Sequence, residues 1–444
     1  MSALWQKAAA EAEAFLEATV APGDKVLAAV SGGADSMALL TLLSELAEGL
    51  GIHVEVVHVH HHLRAASDAE WRFVEAHCRA LGVPFHGRHV DVRAACAATG
   101  QSLEACAHRL RHEAFDAVCE TTGARWLALA HQANDRAETV LMNLLRGTGP
   151  AGLAAMPQQN GRILRPMIGF TRSMIETYLS VRGVGYVTDE SNSDTTILRN
   201  RVRHELLPLL ADYNPAIVSA LDRLAESSAC DQDLLSQRAQ ALCDESMVLQ
   251  ARQWCLLERE PLLAAHDAEL AALLRERVQH FECGRSSLQF GMVQHVRAHI
   301  ARGQGRYDLG QGVICECTRR YVYIGMLPAG EWVFESGVWR QDFLEAVLSA
   351  PAGTVVRGAR PGDVIHLAKV GRKRIKKILQ ELAIPPCLRP IWPLVDDIKL
   401  KEIIWLPFLA PGGQLMYYNS VTFLKVKCMI QIAQRQARSD DEQK

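Results

Sequence analysis

At 444 residues, 49% hydrophobic and 22% charged, the chain can build about two to four domains with cores of their own. A net charge of −2 excludes a uniformly basic nucleic-acid coat, and no apolar run approaches the roughly 18–20 residues that span a bilayer. The 12 cysteines fall without paired spacing, as free thiols of a cytosolic protein do; Cys315 and Cys317 alone make a weak metal pattern.

Residues 1–20 carry an amphipathic helical pattern with Glu11, Glu13 and Glu17. They lack the basic start and apolar middle of a signal peptide, so a cytoplasmic protein with no membrane partner is expected. Apolar residues 26–30 read as a buried parallel strand that breaks at Ser31-Gly32-Gly33, and a helical pattern follows over 37–46. Further strands are predicted at 52–59, 85–90 and 126–130, alternating with helices at 68–81, 102–121 and 134–146. This rhythm predicts βαβ units and a doubly wound parallel sheet, with ligands at the C-terminal strand ends. The loops after the first, second and fourth strands lie at that edge and can converge on one nucleotide. Beyond the turn Asp212-Tyr213-Asn214-Pro215, residues 216–279 read as almost wholly helical, with short strands at 313–315 and 321–324. Connecting strands and turns are expected over 328–352, then a unit over 355–432 that mixes strands with one basic helix. The polar stretch 435–444 reads as disordered.

A strand, a Gly-rich turn and a helix start make an anion site, because glycines let the backbone approach a phosphate and the helix N-terminus offers unpaired N–H groups. Ser31, Gly32, Gly33, Ala34, Asp35 and Ser36 supply such a turn, with two hydroxyl donors and a carboxylate able to hold Mg²⁺ on the phosphates. No Lys follows the glycines, so this is not the loop of phosphoryl-transferring NTPases. It resembles the Ser-Gly-Gly-x-Asp-Ser loop of the N-type ATP pyrophosphatases, which implies splitting of ATP into AMP and pyrophosphate. The competing reading is a Gly turn that only permits close strand–helix packing.

Further stretches narrow the resemblance. They are His131-Gln132-Ala133-Asn134-Asp135-Arg136-Ala137-Glu138-Thr139; Leu145-Arg146-Gly147-Thr148-Gly149 leading to Gly152-Leu153 and Met156; and Arg199-Asn200-Arg201-Val202-Arg203-His204-Glu205-Leu206-Leu207-Pro208, preceded by Asp189 and Ser191-Asn192. Together they resemble the tRNA(Ile)-lysidine synthase family. Arg360-Pro361-Gly362-Asp363, the run 371–377 and Ile384-Pro385 are similar to that family's C-terminal domain. The resemblance implies an ATP-pyrophosphatase domain over 1–213, a mainly helical middle domain over 214–335 and a small basic α+β domain over 350–432. It implies ligation of L-lysine to C2 of the wobble cytidine in an isoleucine tRNA with a CAU anticodon, through an adenylated base. ATP is then a substrate, with Mg²⁺ on Asp35. The sequence fixes no oligomeric state, and a homodimer is one option because members of the family commonly pair.

By resemblance Asp135 and Glu138 bind lysine. Three residues apart at a helix start, they share a face, but Asp135 also lies where a capping acid would sit. The resemblance sets Arg111 and His112 against the activated base or its phosphate; a solvated helix face, shared with Glu104 and Arg109, is the alternative. Arg199, Arg201 and Arg203 face one way if the segment is extended, toward adenylate or tRNA backbone, or else form an idle basic surface. Arg372, Lys373, Arg374, Lys376 and Lys377 read as a helix suited to tRNA phosphates, or as an ordinary charged helix.

Departures from the family pattern are His60 for Asn and His62 for Gly, beside His61 and Leu63-Arg64, which match it. His58, His60, His61 and His62 invite a metal reading, but no acid or Cys partner is close in sequence, so metal binding is not expected there. Asn134 stands for the first of two paired Asp residues and Arg136 for Gln. Rival readings are a tRNA thiolase, which would want Cys-x-x-Cys pairs; an amidotransferase-linked synthetase, which would not need the basic C-terminal unit; and a non-catalytic tRNA-binding protein on an inherited nucleotide fold.

Overall fold

A computed structural model describes residues 3–62, 67–100, 102–187, 198–281, 288–328, 333–335, 338–341, 344–348, 354–367, 371–397, 402–409, 415–419 and 428–429. Leu63, Arg64, Asp189, Ser191, Asn192, residues 435–444 and the side chain of Glu104 lie outside this description. The chain divides into two compact units, residues 1–232 and 233–444.

In the first unit the elements run α1 (Ala3–Thr19), β1 (Lys25–Ala29), α2 (Ala34–Leu50), β2 (His53–His60), α3 (Ser67–Leu81), β3 (Phe85–His89), α4 (Val92–Thr99), α5 (Leu103–Thr122), β4 (Trp126–Ala128) and α6 (Ala133–Leu145). They continue with α7 (Pro150–Leu153), β5 (Gln159–Asn160), β6 (Ile163–Leu164), α8 (Arg172–Arg182), α9 (Leu198–Arg201), a π-turn (Val202–Leu206), α10 (Leu207–Tyr213) and the start of α11 (Ile217–Ser246). The sheet order is β3-β2-β1-β4-β6-β5, parallel except for the β5 edge. The chain winds outward from β1 to β3, then returns to place β4 on the other side of β1. That makes the β1/β4 gap the switch point, where ligands bind outside the carboxyl ends of the strands.

Alternation along the strands explains why both faces are covered. Val26 and Ala28 of β1, Val54 and Val56 of β2 and Trp126 and Ala128 of β4 enter one core with α1, α2 and α8. Leu27, Val57 and Leu127 point oppositely, into a second core with Phe115, Val118 and Cys119 of α5. Period-2 side chains on a sheet buried on both faces read as continuous apolar runs, which is how β1 appears in the sequence.

The second unit holds the rest of α11, then β7 (Met247–Gln250), β8 (Trp254–Glu258), α12 (Arg259–Ala264), α13 (Asp267–Phe281), α14 (Phe290–Arg302), β9 (Gly305–Gly310), β10 (Val313–Cys317) and β11 (Tyr321–Met326). Strands β12 (Val333–Glu335), β13 (Val338–Gln341), β14 (Leu344–Leu348), β15 (Thr354–Arg357), β16 (Val364–Leu367) and β17 (Gly371–Arg374) follow, then α15 (Ile375–Glu381), β18 (Leu394–Asp397), β19 (Glu402–Leu409), β20 (Leu415–Asn419) and β21 (Cys428–Met429). The all-helical expectation for 216–279 misses the β7–β8 hairpin, which joins the sheet β7-β8-β11-β10-β9. Its run Trp254-Cys255-Leu256-Leu257 is apolar throughout because each face meets a different neighbour. Cys255 and Leu257 pack with α13 and α14, while Trp254 and Leu256 pack with Val356, Ile365 and Ile378 of the C-terminal segment. Among the described residues no helix is long and apolar enough to cross a membrane.

Candidate active site

The Gly-rich loop joins β1 to α2. Gly32 takes φ +95°, a left-handed conformation, and a Cβ there would stand 3.3 Å from the Val74 side chain. The Ser36 hydroxyl braces the loop from below. It accepts from the N–H groups of Ser31 (3.1 Å) and Gly32 (3.2 Å) and donates to the Gly33 carbonyl (2.9 Å). Gly33 caps α2 without a side-chain hydrogen bond, which suits a helix N-terminus that receives an anion.

Asp35 is half-buried at this helix start. Its carboxyl is pushed up to about 6, first by burial and then by the charge of Asp135, against the pull of Arg172 and Arg203. The carboxylates of α2 and α6 thus crowd one another at the switch point.

Asp135 does two jobs with its two oxygens. Oδ2 accepts from the Gln132 N–H at 3.1 Å, while Gln132 Oε1 accepts from the Asn134 N–H at 2.9 Å, closing a capping box on α6. Oδ1 accepts from Arg199 Nη2 at 2.9 Å and Arg203 Nη2 at 3.2 Å. Glu138, one turn on and fully buried, accepts from Arg199 Nε at 2.8 Å and from Arg203 Nε at 2.5 Å and Nη2 at 3.1 Å. The capping and site readings of Asp135 are therefore compatible. Arg203 is held above its usual range, the two carboxylates overcoming the opposite effect of its burial.

The condition under which Arg199, Arg201 and Arg203 would face one way, an extended segment, is not met. The segment is one turn of α9 followed by the π-turn, so alternate residues diverge while Arg199 and Arg203, four apart, converge on α6. Arg201 turns away, is more than half exposed and pairs with Glu205 at 3.5 Å.

Arg111 and His112 lie on α5. Arg111 reaches solvent, yet burial of its head group and the nearby charge of Arg199 hold it below its usual range. His112 is held low by burial, with His108 and Arg111 adding to it. His131 is pushed down to about 3 by burial and by Arg165, Arg199, Arg111 and His112. Arg165 Nε donates to His131 Nδ1 at 3.1 Å, which leaves the neutral ring its proton on Nε2. This pair, neutral His131 with cationic Arg165 beside Arg111, was not among the expected site residues. His131 opens the quoted motif, whereas nothing in the pattern around Arg165 marks it.

The two departures in the motif each have a partner in the fold. Asn134 Oδ1 accepts from the Arg172 N–H at the start of α8 (3.4 Å). Arg136 is buried and binds Asp222 at 2.7 Å and Glu226 at 3.4 Å on α11.

The basic run in the second unit is a correction too. Arg372, Lys373 and Arg374 belong to strand β17, and only Lys376 and Lys377 stand on α15. Residues 371–374 pair antiparallel with β16, and the helix starts only at Ile375, which is buried. Arg372, Arg374, Lys376 and Lys377 are exposed, while Lys373 is tied to Glu381 at 2.5 Å.

Comparison with known proteins identifies this geometry. A PP-loop domain family matches residues 5–210, and a TilS substrate C-terminal domain family matches residues 354–409. The tRNA(Ile)-lysidine synthase of Geobacter sulfurreducens is 33% identical over 87% of this chain and 88% of its own length. The chain belongs to the tRNA(Ile)-lysidine synthase family. Family relatives from Pseudomonas aeruginosa (33% identity, 89% of this chain and 93% of the relative) and Thermotoga sp. (30%, 87% and 92%) span the same two units. Membership makes the chain an ATP-using ligase built on a PP-loop domain.

Proposed function

We propose that the protein ligates L-lysine to C2 of the wobble cytidine in an isoleucine tRNA with a CAU anticodon, by way of an adenylated base. The observation that carries this reading is the meeting of the Ser31–Ser36 loop with Asp135 and Glu138 at one switch point, reported by the crowding of Asp35 against Asp135. An adenylating loop and an amine-binding carboxylate pair are what the two half-reactions need.

In the first half-reaction Ser31, Gly32, Gly33, Ala34 and Ser36 hold the pyrophosphate end of ATP through N–H and hydroxyl donors. Charge gathering on the phosphoryl oxygens meets fixed dipoles that need no reorganisation. Asp35 would hold Mg²⁺, which supplies charge neutralisation on the phosphates; a half-buried carboxyl crowded by a second acid is a fitting ligand. Arg111 and His112 face the activated base or its phosphate, with neutral His131 offering an Nε2 proton nearby.

In the second, Asp135 and Glu138 hold the lysine side-chain amine. That amine must be neutral to attack, and free lysine titrates near 10.4. The guanidiniums of Arg199 and Arg203 already balance both carboxylates, so an entering ammonium meets little net negative charge and gives up its proton more easily. The amine adds to C2 of the base, and AMP leaves with the C2 oxygen.

For the tRNA, the exposed Arg201 and the face of Arg372, Arg374, Lys376 and Lys377 suit phosphate contacts, with Lys373 at its edge. The C-terminal unit is assigned to the acceptor stem and residues 214–335 to the anticodon side; a cytoplasmic location and a homodimer complete the reading. Sedimentation tests the last. The decisive experiment is incubation with ATP, Mg²⁺, radiolabelled lysine and isoleucine tRNA transcript, with methionine tRNA of the same anticodon as control. Label on the first alone, with AMP and pyrophosphate released and Asp135→Ala inactive, is the expected result. Pyrophosphate exchange without label would mean another nucleophile, and the absence of both signals would refute the assignment.

A further inference from the structure

Away from the switch point, three histidines meet at the carboxyl ends of β2 and β3. Parallel register sets His60 opposite His89, and His62 follows as the chain leaves β2. One ring nitrogen from each of His60, His62 and His89 can lie within 4.8 Å of the others. His62 Nε2 is 2.9 Å from His89 Nδ1, and an exposed carboxylate from the first turn of α3, Asp68, comes to 3.1 Å from His60 Nε2.

Two features do not suit a merely polar surface. His60 is buried, and its Nε2 makes no aligned hydrogen bond even with Asp68 at that distance. Its other ring nitrogen, Nδ1, accepts from the His62 N–H at 3.3 Å. His62 stands at φ +52°, a conformation that glycine adopts without strain and in which other side chains are uncommon. Histidine takes this conformation more readily than most residues, and here it accompanies the approach of the His62 ring to His89.

We propose that His60, His62, His89 and Asp68 bind one divalent transition-metal ion, zinc by preference. Imidazole and carboxylate at bonds of about 2.0–2.2 Å around a tetrahedral ion sit about 3.4 Å apart. The 2.9 Å His62–His89 and 3.1 Å His60–Asp68 contacts need to open by only a few tenths of an ångström. Three ligands come from separate elements, β2, β3 and α3, and Trp71 backs the group by stacking on His89 at 4.6 Å and 15°. The ion acts as a pin between the sheet edge and α3. Since His60 and His62 flank His61, it also fixes the backbone at the histidine that matches the family's loop. The site is separate from Asp35, and nothing in it depends on lysine ligation.

The test is titration of the chelator-treated full-length protein with Zn²⁺ against a chromophoric chelator, and with Co²⁺ in the visible range. A single tight equivalent is expected, with the strong d–d bands of four-coordinate cobalt and no thiolate charge-transfer band in the near ultraviolet. His62→Gly, which removes one ring at a φ that glycine also adopts, and His89→Gln should each weaken binding by about tenfold or more while thermal melts show the fold intact. No stoichiometric binding, a thiolate band, or affinity unchanged in both variants would overturn the proposal.

Discussion

The Asp35 carboxyl offers the sharpest quantitative test of the site. Its pKa of about 6 stands roughly 2 units above the 3.8 it has when unfolded. Below pH 3.8 both states hold the proton and Asp35 leaves stability unchanged. As pH rises through the interval, the unfolded chain ionises first, binds fewer protons, and becomes relatively favoured. Above pH 6 the folded, ligand-free protein carries the full penalty, about 3 kcal/mol at 1.36 kcal/mol per unit. Asp35→Asn removes the charge, so the variant should be more stable than the parent by up to about 3 kcal/mol at pH 8 and by only about 0.5 kcal/mol at pH 4. For the 232-residue first unit this is about 6–12 °C in melting temperature at the higher pH. The same variant should fail to release pyrophosphate from ATP. Thermal melts of parent and variant, without nucleotide or metal, read the difference across the pH range. A variant less stable than the parent at pH 8, or a gain that does not shrink toward pH 4, would refute the reasoning. Either outcome would mean that burial and Asp135 do not crowd this carboxyl.

Other consequences follow from the same contacts. Glu138→Gln leaves two guanidiniums short of their buried partner and should cost about 3 kcal/mol or more, read by urea unfolding, with Arg203→Gln in the same chain restoring part of it. Arg201→Ala should change stability by less than about 0.5 kcal/mol, because its Glu205 partner is equally exposed, while Arg203→Ala lowers both stability and lysine transfer. Burial holds the Asp222 carboxyl above its usual range even beside Arg136; Arg136→Gln should destabilise by about 3 kcal/mol, and adding Asp222→Asn should recover most of it in thermal melts. In filter binding of tRNA, Arg374→Ala or Lys377→Ala should each reduce the slope of log affinity against log salt by about 0.7–0.9, whereas Lys373→Ala, whose charge already meets Glu381, should change it less.

The legible part of this fold is the part written in local pattern. Val26 to Val30 followed by Gly32 and a helix start can be read because a buried parallel strand, a left-handed turn and an unpaired N-terminus each restrict residue type within a few positions. The β7–β8 hairpin was not legible. Trp254-Cys255-Leu256-Leu257 is a short apolar run, and periodicity cannot tell a strand buried on both faces from a buried helix turn. The conformation of the arginines at 199–203 is left open by the sequence for a related reason. Alternation is a strand signal only if the segment is extended, and Asp135 and Glu138, some 60 residues earlier, are what make a helical spacing the useful one.

The histidines at 58–62 show the same limit from the other side. Of the ligands proposed for them, His89 is 29 residues from His60 in sequence yet opposite it in the sheet, and Asp68 is brought back by the first turn of α3. Within that group the roles separate by where each side chain points. His58 Nδ1 donates to the Val30 carbonyl at 2.7 Å and closes the strand edge beside the Gly-rich loop, so it is occupied by the fold. His60, two residues on, shares the inward side of β2 but finds a carboxylate and two imidazoles instead of a backbone acceptor. His58 and His60 share one side of the strand, so it is the neighbour each meets, and not alternation, that separates them.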